Sequence, residues 1–381
     1  MKKIKVIYVV STLKVCGPNN QLFNIVSNLD YSSFHPIVVT LSKEGKESFI
    51  NKFKSFGIDV VSINSHRLMG LPYIKRNLKA IISNLSPDVI HTQGYRSDIL
   101  VRSILSSDKN LSCRQLCTVR NIPQDDYPMT YGVVLGKLMV KKLYFNHEKY
   151  PIWLLVCSHA VSKNLRDSFK LNNVICINNG VDTERYKPLS LKKDKELLRD
   201  HFSFPKDKKI FISTGHLSSR KSPQFLIEGF IKSSLKDAIL LLVGDGELKE
   251  FLVEKYKDEK SIIFLGRSDR VSELLQLSDY YVSCSVSEGL PNSVLEALSS
   301  GLPCVLSDIQ PHMQIMQYLE DKVGYLYNLG SIQSFIYALS SIYNDDLSML
   351  SSQSRKLAVS GFSSKIMSKE YQNNYCKLIF K

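Results

Sequence analysis

Short runs rich in valine and isoleucine alternate with helical stretches along this chain, stop once at a polar, lysine-rich segment, and then start again. The first series places strands at 5–10, 36–41, 59–63, 88–91, 116–119, 154–158 and 174–178; the second places them at 210–213, 239–243, 262–265, 280–285 and 303–306. Near-continuous apolar runs suit strands covered on both faces, and the helices between them suit parallel crossovers. The expected fold class is therefore α/β, two doubly wound domains over 1–186 and 187–364 with an interdomain cleft. A last helix over 365–381 carries Ile366, Met367, Tyr371 and Tyr375, which need a surface, and it is expected to pack back on the first domain. With 381 residues and 44% hydrophobic content, each domain has the means to bury a core. No apolar run approaches the ~20 residues that a membrane-spanning helix needs. The opening Lys2 to Val10 imitates a signal peptide but is short and lacks a cleavage site, so it reads as the first strand.

In open parallel sheets ligands bind beyond the carboxyl ends of strands, so the loops there are where chemistry is sought. The most informative runs from Ser287 through Glu288, Gly289, Leu290, Pro291, Asn292 and Ser293 to Glu296 and Ala297. It reads as strand, acidic loop and helix, the helix covering 293–299 and ending at Gly301. Free N–H groups and the positive dipole end at such a helix start suit a phosphate. Two carboxylates beside an anion site would repel it unless they bind something else, such as sugar hydroxyls, so the expected ligand is a sugar joined to a phosphate. The competing reading is a surface helix with two ordinary glutamates. After the strand at 210–213, Arg220 and Lys221 stand in a loop ahead of Ser222 and Pro223, which suit a helix cap and first turn, and offer positive charge to a diphosphate. The turn Gly244-Asp245-Gly246-Glu247 is acidic and lacks the third glycine of a dinucleotide fingerprint. In the first domain, Gly17 lets a ligand approach the backbone after strand one. No Walker lysine motif occurs.

Charge is divided unevenly: residues 1–170 hold 24 Lys and Arg against 11 Asp and Glu, while the remainder is nearly balanced. That points to an anionic surface as partner. Two stretches concentrate the charge, from Arg67 to Lys79 and from Val133 to Lys149. The second interleaves Lys137, Lys141, Lys142 and Lys149 with Leu135, Leu138, Met139, Leu143, Tyr144 and Phe145, as a helix in a membrane interface does, although a domain helix with a basic outer face fits as well. Neither stretch has the aromatic and basic pattern of RNA-binding modules, so lipid is preferred to nucleic acid. The eight cysteines lie mostly in apolar segments without metal-ligand spacing, as buried thiols in a reducing cytoplasm do.

These residues resemble the retaining glycosyltransferases of the GT-B fold, family 4, also called the group 1 glycosyltransferases. The likeness rests on Glu288 to Glu296, on Asn178-Asn179-Gly180-Val181-Asp182 with Tyr186 and Pro188, on Gly244-Asp245-Gly246, Phe264-Leu265-Gly266, Ser278-Asp279, and on Gly301 to Val305. In the first domain it is looser, resting on Gly17-Pro18, Pro87 to His91 and Ser158 to Ser162. The resemblance implies a two-domain enzyme that moves a sugar from a nucleotide sugar, uridine diphosphate-linked by family expectation, to a glycan or lipid-linked acceptor in bacterial surface polysaccharide assembly. It places the enzyme in the cytoplasm, peripheral on the inner face of the cell membrane. It implies that Glu288 binds donor-sugar hydroxyls, that Glu296 binds the ribose, and that Lys221 neutralises the leaving phosphate. Gly17, His216 and Arg220 complete the donor site with the backbone of Gly289, Leu290, Asn292 and Ser293. No cofactor and no metal are expected, because cationic side chains already face the leaving group.

Two positions depart from the family pattern. His216 stands where an arginine is usual, which shifts that diphosphate contact toward Arg220. Arg120, in Thr118-Val119-Arg120, stands where a histidine is usual near the reacting carbon. Arginine stays protonated and cannot act as a base, so Arg120 is assigned to a phosphate or an anionic acceptor. His91, Asp125 and Asp126 are the candidates for acceptor contacts. An epimerase or phosphorylase of the same architecture, or a non-catalytic nucleotide-sugar-binding subunit, are the alternatives.

Overall fold

The computed structural model describes residues 2–66, 70–108, 110–144 and 152–380. They divide into two compact units, Met1–Asn179 with Ser364–Lys381, and Gly180–Ser363. In the first unit seven strands, β1 (Ile4–Val10), β2 (Phe34–Ser42), β3 (Asp59–Ser65), β4 (Val89–Gln93), β5 (Arg114–Val119), β6 (Trp153–Val156) and β7 (Val174–Cys176), form one parallel sheet. Its strand order is β3-β2-β1-β4-β5-β6-β7. Successive side chains of a strand point to opposite faces, and β1 shows what that does here. Val6, Tyr8 and Val10 enter one buried cluster, Ile7 and Val9 another, so helices must cover both faces.

The second unit repeats the plan with β8 (Lys209–Thr214), β9 (Ala238–Val243), β10 (Ile262–Gly266), β11 (Tyr280–Ser283), β12 (Cys304–Ser307) and β13 (Gly324–Tyr327), ordered β10-β9-β8-β11-β12-β13. Every strand expected from the sequence is present. β13 is additional: it is four residues long, begins at a glycine, and pairs only along β12 at the sheet edge, so its pattern is weak. Gly244 shows why glycine follows β9. Its φ is +151°, and a Cβ there would fall 1.8 Å from the Gly215 carbonyl oxygen, so the ends of β8 and β9 touch through it.

The junction expected near residue 187 falls at Asn179 and Gly180: Val181 N donates to the Phe362 carbonyl at 2.8 Å and Arg355 to the Tyr186 carbonyl at 2.8 Å, which ties residues 180–186 into the second unit. There the helix Lys192–His201 is tied down by Arg199, 5% exposed, whose guanidinium lies 2.7 Å from Asp279; Lys195 meets the same carboxylate at 2.7 Å. A buried cation needs such a partner, and the two cations hold the Asp279 carboxyl below its usual range against the opposing effect of burial. The final helix, Ser364–Ile379, belongs to the first unit. Ser368 Oγ donates to the Ile25 carbonyl at 2.8 Å, while Met367, Tyr371, Tyr375 and Leu378 join the core beneath helix Gly17–Ser27.

Candidate functional site

In the second sheet the strand order reverses between β8 and β11, which opens a crevice at their carboxyl ends. Both loops carry charge into it. After β8 a single 3-10 turn, Ser219–Lys221, ends at Ser222, whose φ of 49° is left-handed. That conformation costs a non-glycine residue about 1–2 kcal/mol, and it reverses the chain before helix Pro223–Ser233. The Ser222 side chain does not cap that helix, contrary to expectation, because the backbone there is bent to aim Arg220 and Lys221.

Their target is Glu288, in the loop after β11 and with its side chain 8% exposed. Arg220 Nη1 lies 2.8 Å from Glu288 Oε2 and Lys221 Nζ 2.7 Å from Oε1. Arg220 also donates to the Ser287 carbonyl at 2.7 Å, and its own carbonyl accepts from Val286 N at 2.9 Å, locking the two loops together. Burial alone would raise the Glu288 carboxyl; Lys221 and Arg220 outweigh it and hold it at about 2. Each carboxylate oxygen meets one cation and keeps a second lone pair. A permanently ionised carboxylate with an open acceptor position can take a hydroxyl, and two cations beside it can take phosphate oxygens.

Glu296 sits on the helix Asn292–Ser299, which starts one residue earlier than expected and has no side-chain cap at its N-terminus. Gly289, Leu290, Asn292 and Ser293 form the loop and helix start between the two glutamates. Glu296 keeps part of its surface open but lies in a dense recess. Burial pushes its carboxyl up to about 7, moderated by Arg185, by a hydrogen bond from Tyr186, and by Lys221. The two carboxyls are thus shifted in opposite directions by the same fold, and Lys221 acts on both.

His312 was not anticipated. It is fully buried in helix Gln310–Met316, just beyond β12. Ser307 Oγ lies 2.6 Å from the Ser285 carbonyl and gives its proton there, so it can only accept from His312 Nδ1, 3.1 Å away; the Ser307 carbonyl, at 2.9 Å, also accepts. Nδ1 therefore carries the proton and Nε2 is a bare acceptor, with no partner among the described residues. Burial lowers the imidazole to about 4, with Glu288 and Lys221 acting on it in opposite senses. The available signal was weak, a lone histidine one turn past a strand end in the domain that carries Glu288.

The remaining candidates fall elsewhere. His216 is exposed and its ring meets Glu247 at 3.0 Å, while the residue lines a small cavity together with Gly215 and Lys221. In the first unit Arg120 donates to Gln93 Oε1 at 3.1 Å and to Asn179 Oδ1 at 2.7 Å. Gly17 begins the helix Gly17–Ser27 in that unit. His91 corrects the sequence reading: it is 2% exposed, one ring nitrogen meets Tyr375 Oη at 2.7 Å, and the other meets Thr118 Oγ1. With both nitrogens engaged and burial driving it down to about 3, it ties the final helix to β4 and β5 and has no nitrogen for an acceptor. Asp125 and Asp126 occupy the first turn of helix Pro123–Tyr131, where acids suit the dipole; Asp126 accepts from Asn121 at 3.0 Å and Asp125 is exposed. Among the described residues no group of three or more His, Cys, Asp or Glu is placed to hold a metal ion.

The structure of HepE from Anabaena, determined with UDP-glucose, superposes with a TM-score of 0.80 at 16% identity, covering 98% of this chain and 100% of that one. At that identity the likeness is one of fold, and the fold is the GT-B architecture of glycosyltransferases. Residues 194–358 match the family described as glycosyl transferases group 1, and residues 15–185 match glycosyltransferase family 4. The chain belongs to this glycosyltransferase family. It is 32% identical to an Escherichia coli UDP-Gal:alpha-D-GlcNAc-diphosphoundecaprenol alpha-1,3-galactosyltransferase, over 55% of this chain and 56% of that enzyme. It is 24% identical to the O-antigen biosynthesis glycosyltransferase WclY of Escherichia coli, over 98% of this chain and 99% of that one.

Proposed function

We propose that this protein transfers a sugar, with retention of anomeric configuration, from a uridine diphosphate sugar to a lipid-linked glycan acceptor during bacterial polysaccharide assembly. The observation that carries this reading is the buried Glu288 carboxylate between Arg220 and Lys221 at the strand-order reversal of the second sheet. Glu288 accepts from hydroxyls of the donor sugar, Glu296 from those of the ribose, and Lys221 and Arg220, held in place by Glu288, face the diphosphate with their remaining N–H groups. Negative charge grows on that diphosphate as the bond from the anomeric carbon breaks, and preorganised cations lower the barrier most at that moment. The acceptor oxygen bonds to the same face of the carbon, and its proton passes to the departing phosphate oxygen. No metal is required for that charge balance. Arg120, permanently cationic, serves an anionic group of a substrate.

The named E. coli relative uses a UDP sugar and a diphosphoundecaprenol-linked acceptor, and HepE was solved with UDP-glucose, which supports the choice of both substrates. No helix among the described residues is long and apolar enough to cross a membrane. The helix Val133–Tyr144 instead leaves Val133, Val134, Leu135 and Leu138 more than half exposed beside Lys137, Lys141 and Lys142, as an interfacial helix does. Residues 67–69 and 145–149 of the two basic stretches lie outside the described residues. The test is a thermal-shift screen against UDP, GDP and ADP sugars, followed by transfer assays and nuclear magnetic resonance of the product linkage. Stabilisation by no nucleotide sugar, or an inverted anomeric centre, would refute the reading.

A further inference from the structure

The first sheet also reverses strand order, between β1 and β4, and a cavity of about 690 Å³ opens at the carboxyl ends of β1 to β4. Lys43, at the end of β2, and Arg96, after β4, line it. Among the described residues neither has an acidic partner. Arg96 Nη1 donates to Ser42 Oγ at 2.7 Å, which fixes the guanidinium without neutralising it. The neighbouring carboxylate, Glu44, does not line the cavity: it accepts from Leu13 N at 2.8 Å and Ser48 Oγ at 2.7 Å. The backbone between those cations, at Gly94 and Tyr95, is the start of the 13-residue helix Tyr95–Ser107. The one acid in that first turn, Asp98, is buried, and burial pushes its carboxyl up to about 6. The cavity is therefore furnished for an anion of more than one charge.

Its rim is of the opposite character. Tyr131 and Met139 line it from the helices Pro123–Tyr131 and Val133–Tyr144. These helices cross so closely that a Cβ on Gly136 would fall 2.4 Å from Pro128 N. On the second of these helices Val133, Val134, Leu135 and Leu138 are more than half exposed. An exposed apolar strip of this kind marks a binding face.

We propose that this cavity is the site for the diphosphate of a lipid diphosphate-linked acceptor, with Lys43 and Arg96 on the phosphate oxygens and the hydrocarbon leaving over Tyr131 and Met139. The inference rests on the lipid-linked acceptor proposed above and adds the place and the chemistry of its recognition. The test uses farnesyl diphosphate as probe, with farnesol and inorganic pyrophosphate as the tail-only and head-only arms, measured by calorimetry on the full chain. The wild type should bind farnesyl diphosphate more tightly than either arm. The Lys43→Ala/Arg96→Ala variant should lose about a hundredfold in that affinity, as expected for two charge-assisted contacts, while its stabilisation by a UDP sugar persists. Lys43→Gln/Arg96→Gln, closer in size, serves if the first variant does not fold. Equal affinity of variant and wild type for farnesyl diphosphate overturns the inference. So does a wild type that binds a UDP sugar but not farnesyl diphosphate, and the donor reading then survives. A wild type that binds no UDP sugar sinks the donor reading instead.

Discussion

The two sheets reverse strand order at corresponding places and furnish them in opposite ways. Beyond β8 and β11 the charges are paired, with Glu288 buried and the loop turned by a left-handed serine, so the carboxylate and both cations are fixed before any ligand arrives. Beyond β1 and β4, Lys43 and Arg96 have no acidic partner among the described residues, the cavity is open, and Tyr131 and Met139 stand at its rim. A group that must stabilise charge only at the transition state has to be preorganised, because reorganisation during the reaction adds to the barrier. A group that only anchors a substrate can stay solvated until the substrate comes, which avoids the desolvation cost of a buried charge. Under the proposed function, the contrast corresponds to chemistry in the second unit and anchoring in the first.

The strongest test is Glu288→Gln, which keeps shape and removes charge. Turnover should fall about a thousandfold, the scale of losing one preorganised electrostatic contact, with the UDP-sugar dissociation constant changed far less. A loss of only a few-fold would erase the contrast between the two crevices. Next in size are the two carboxyls of the second crevice, which should respond to pH with opposite signs. Glu288 is held at about 2 in the folded chain against 4.5 for an ordinary glutamate, so its contribution to stability is complete above 4.5 and is lost as pH falls toward 2. Glu296 is pushed up to about 7, so the fold retains its proton and stability declines from pH 4.5 to about 7. Urea titrations across pH 3–8 should show Glu288→Gln flattening the acid limb and Glu296→Gln flattening the neutral one. UDP-sugar affinity should meanwhile rise between pH 6 and 8 in the wild type but not in Glu296→Gln.

The first unit should break differently. Leu135→Ser with Leu138→Ser should reduce pelleting with anionic phosphatidylglycerol vesicles about tenfold or more, since each buried leucine is worth roughly 1.5–3 kcal/mol. Activity on a short water-soluble acceptor should be unchanged; equal pelleting would remove the interfacial role of that helix. The smallest effect expected is at His312. Replacing it by phenylalanine removes the bare Nε2 acceptor and should weaken donor binding by about tenfold, the worth of one hydrogen bond. UDP alone should bind as before, which places the lost contact on the sugar.

Much of this was legible in the sequence. Strands buried on both faces need continuous apolar runs, so twelve of them announced themselves and two doubly wound units followed. Glu288, Lys221 and Arg220 were legible as loop residues after two strands, because the carboxyl end of a parallel strand is where its loop must stand. The edge strand β13 was not, having one neighbour and little apolar surface to advertise. Nor was the helix Lys192–His201: a lysine-rich stretch looks like a linker until Asp279, some eighty positions away, is seen to hold it.

The amino-acid pattern by itself determined the layered architecture, the uneven charge and the presence of paired acidic and basic residues in the second half, since each depends on local periodicity or composition. Only the tertiary structure decided which charges meet. It gave Arg220 and Lys221 to Glu288, left Lys43 and Arg96 without an acidic partner among the described residues, sealed His91 in a tyrosine cluster, and set Glu288 and Glu296 at opposite ends of the carboxyl range. Ionisation and hydrogen bonding depend on distance and burial, and residues far apart in the chain acquire both only when the sheets bring their loops to one place.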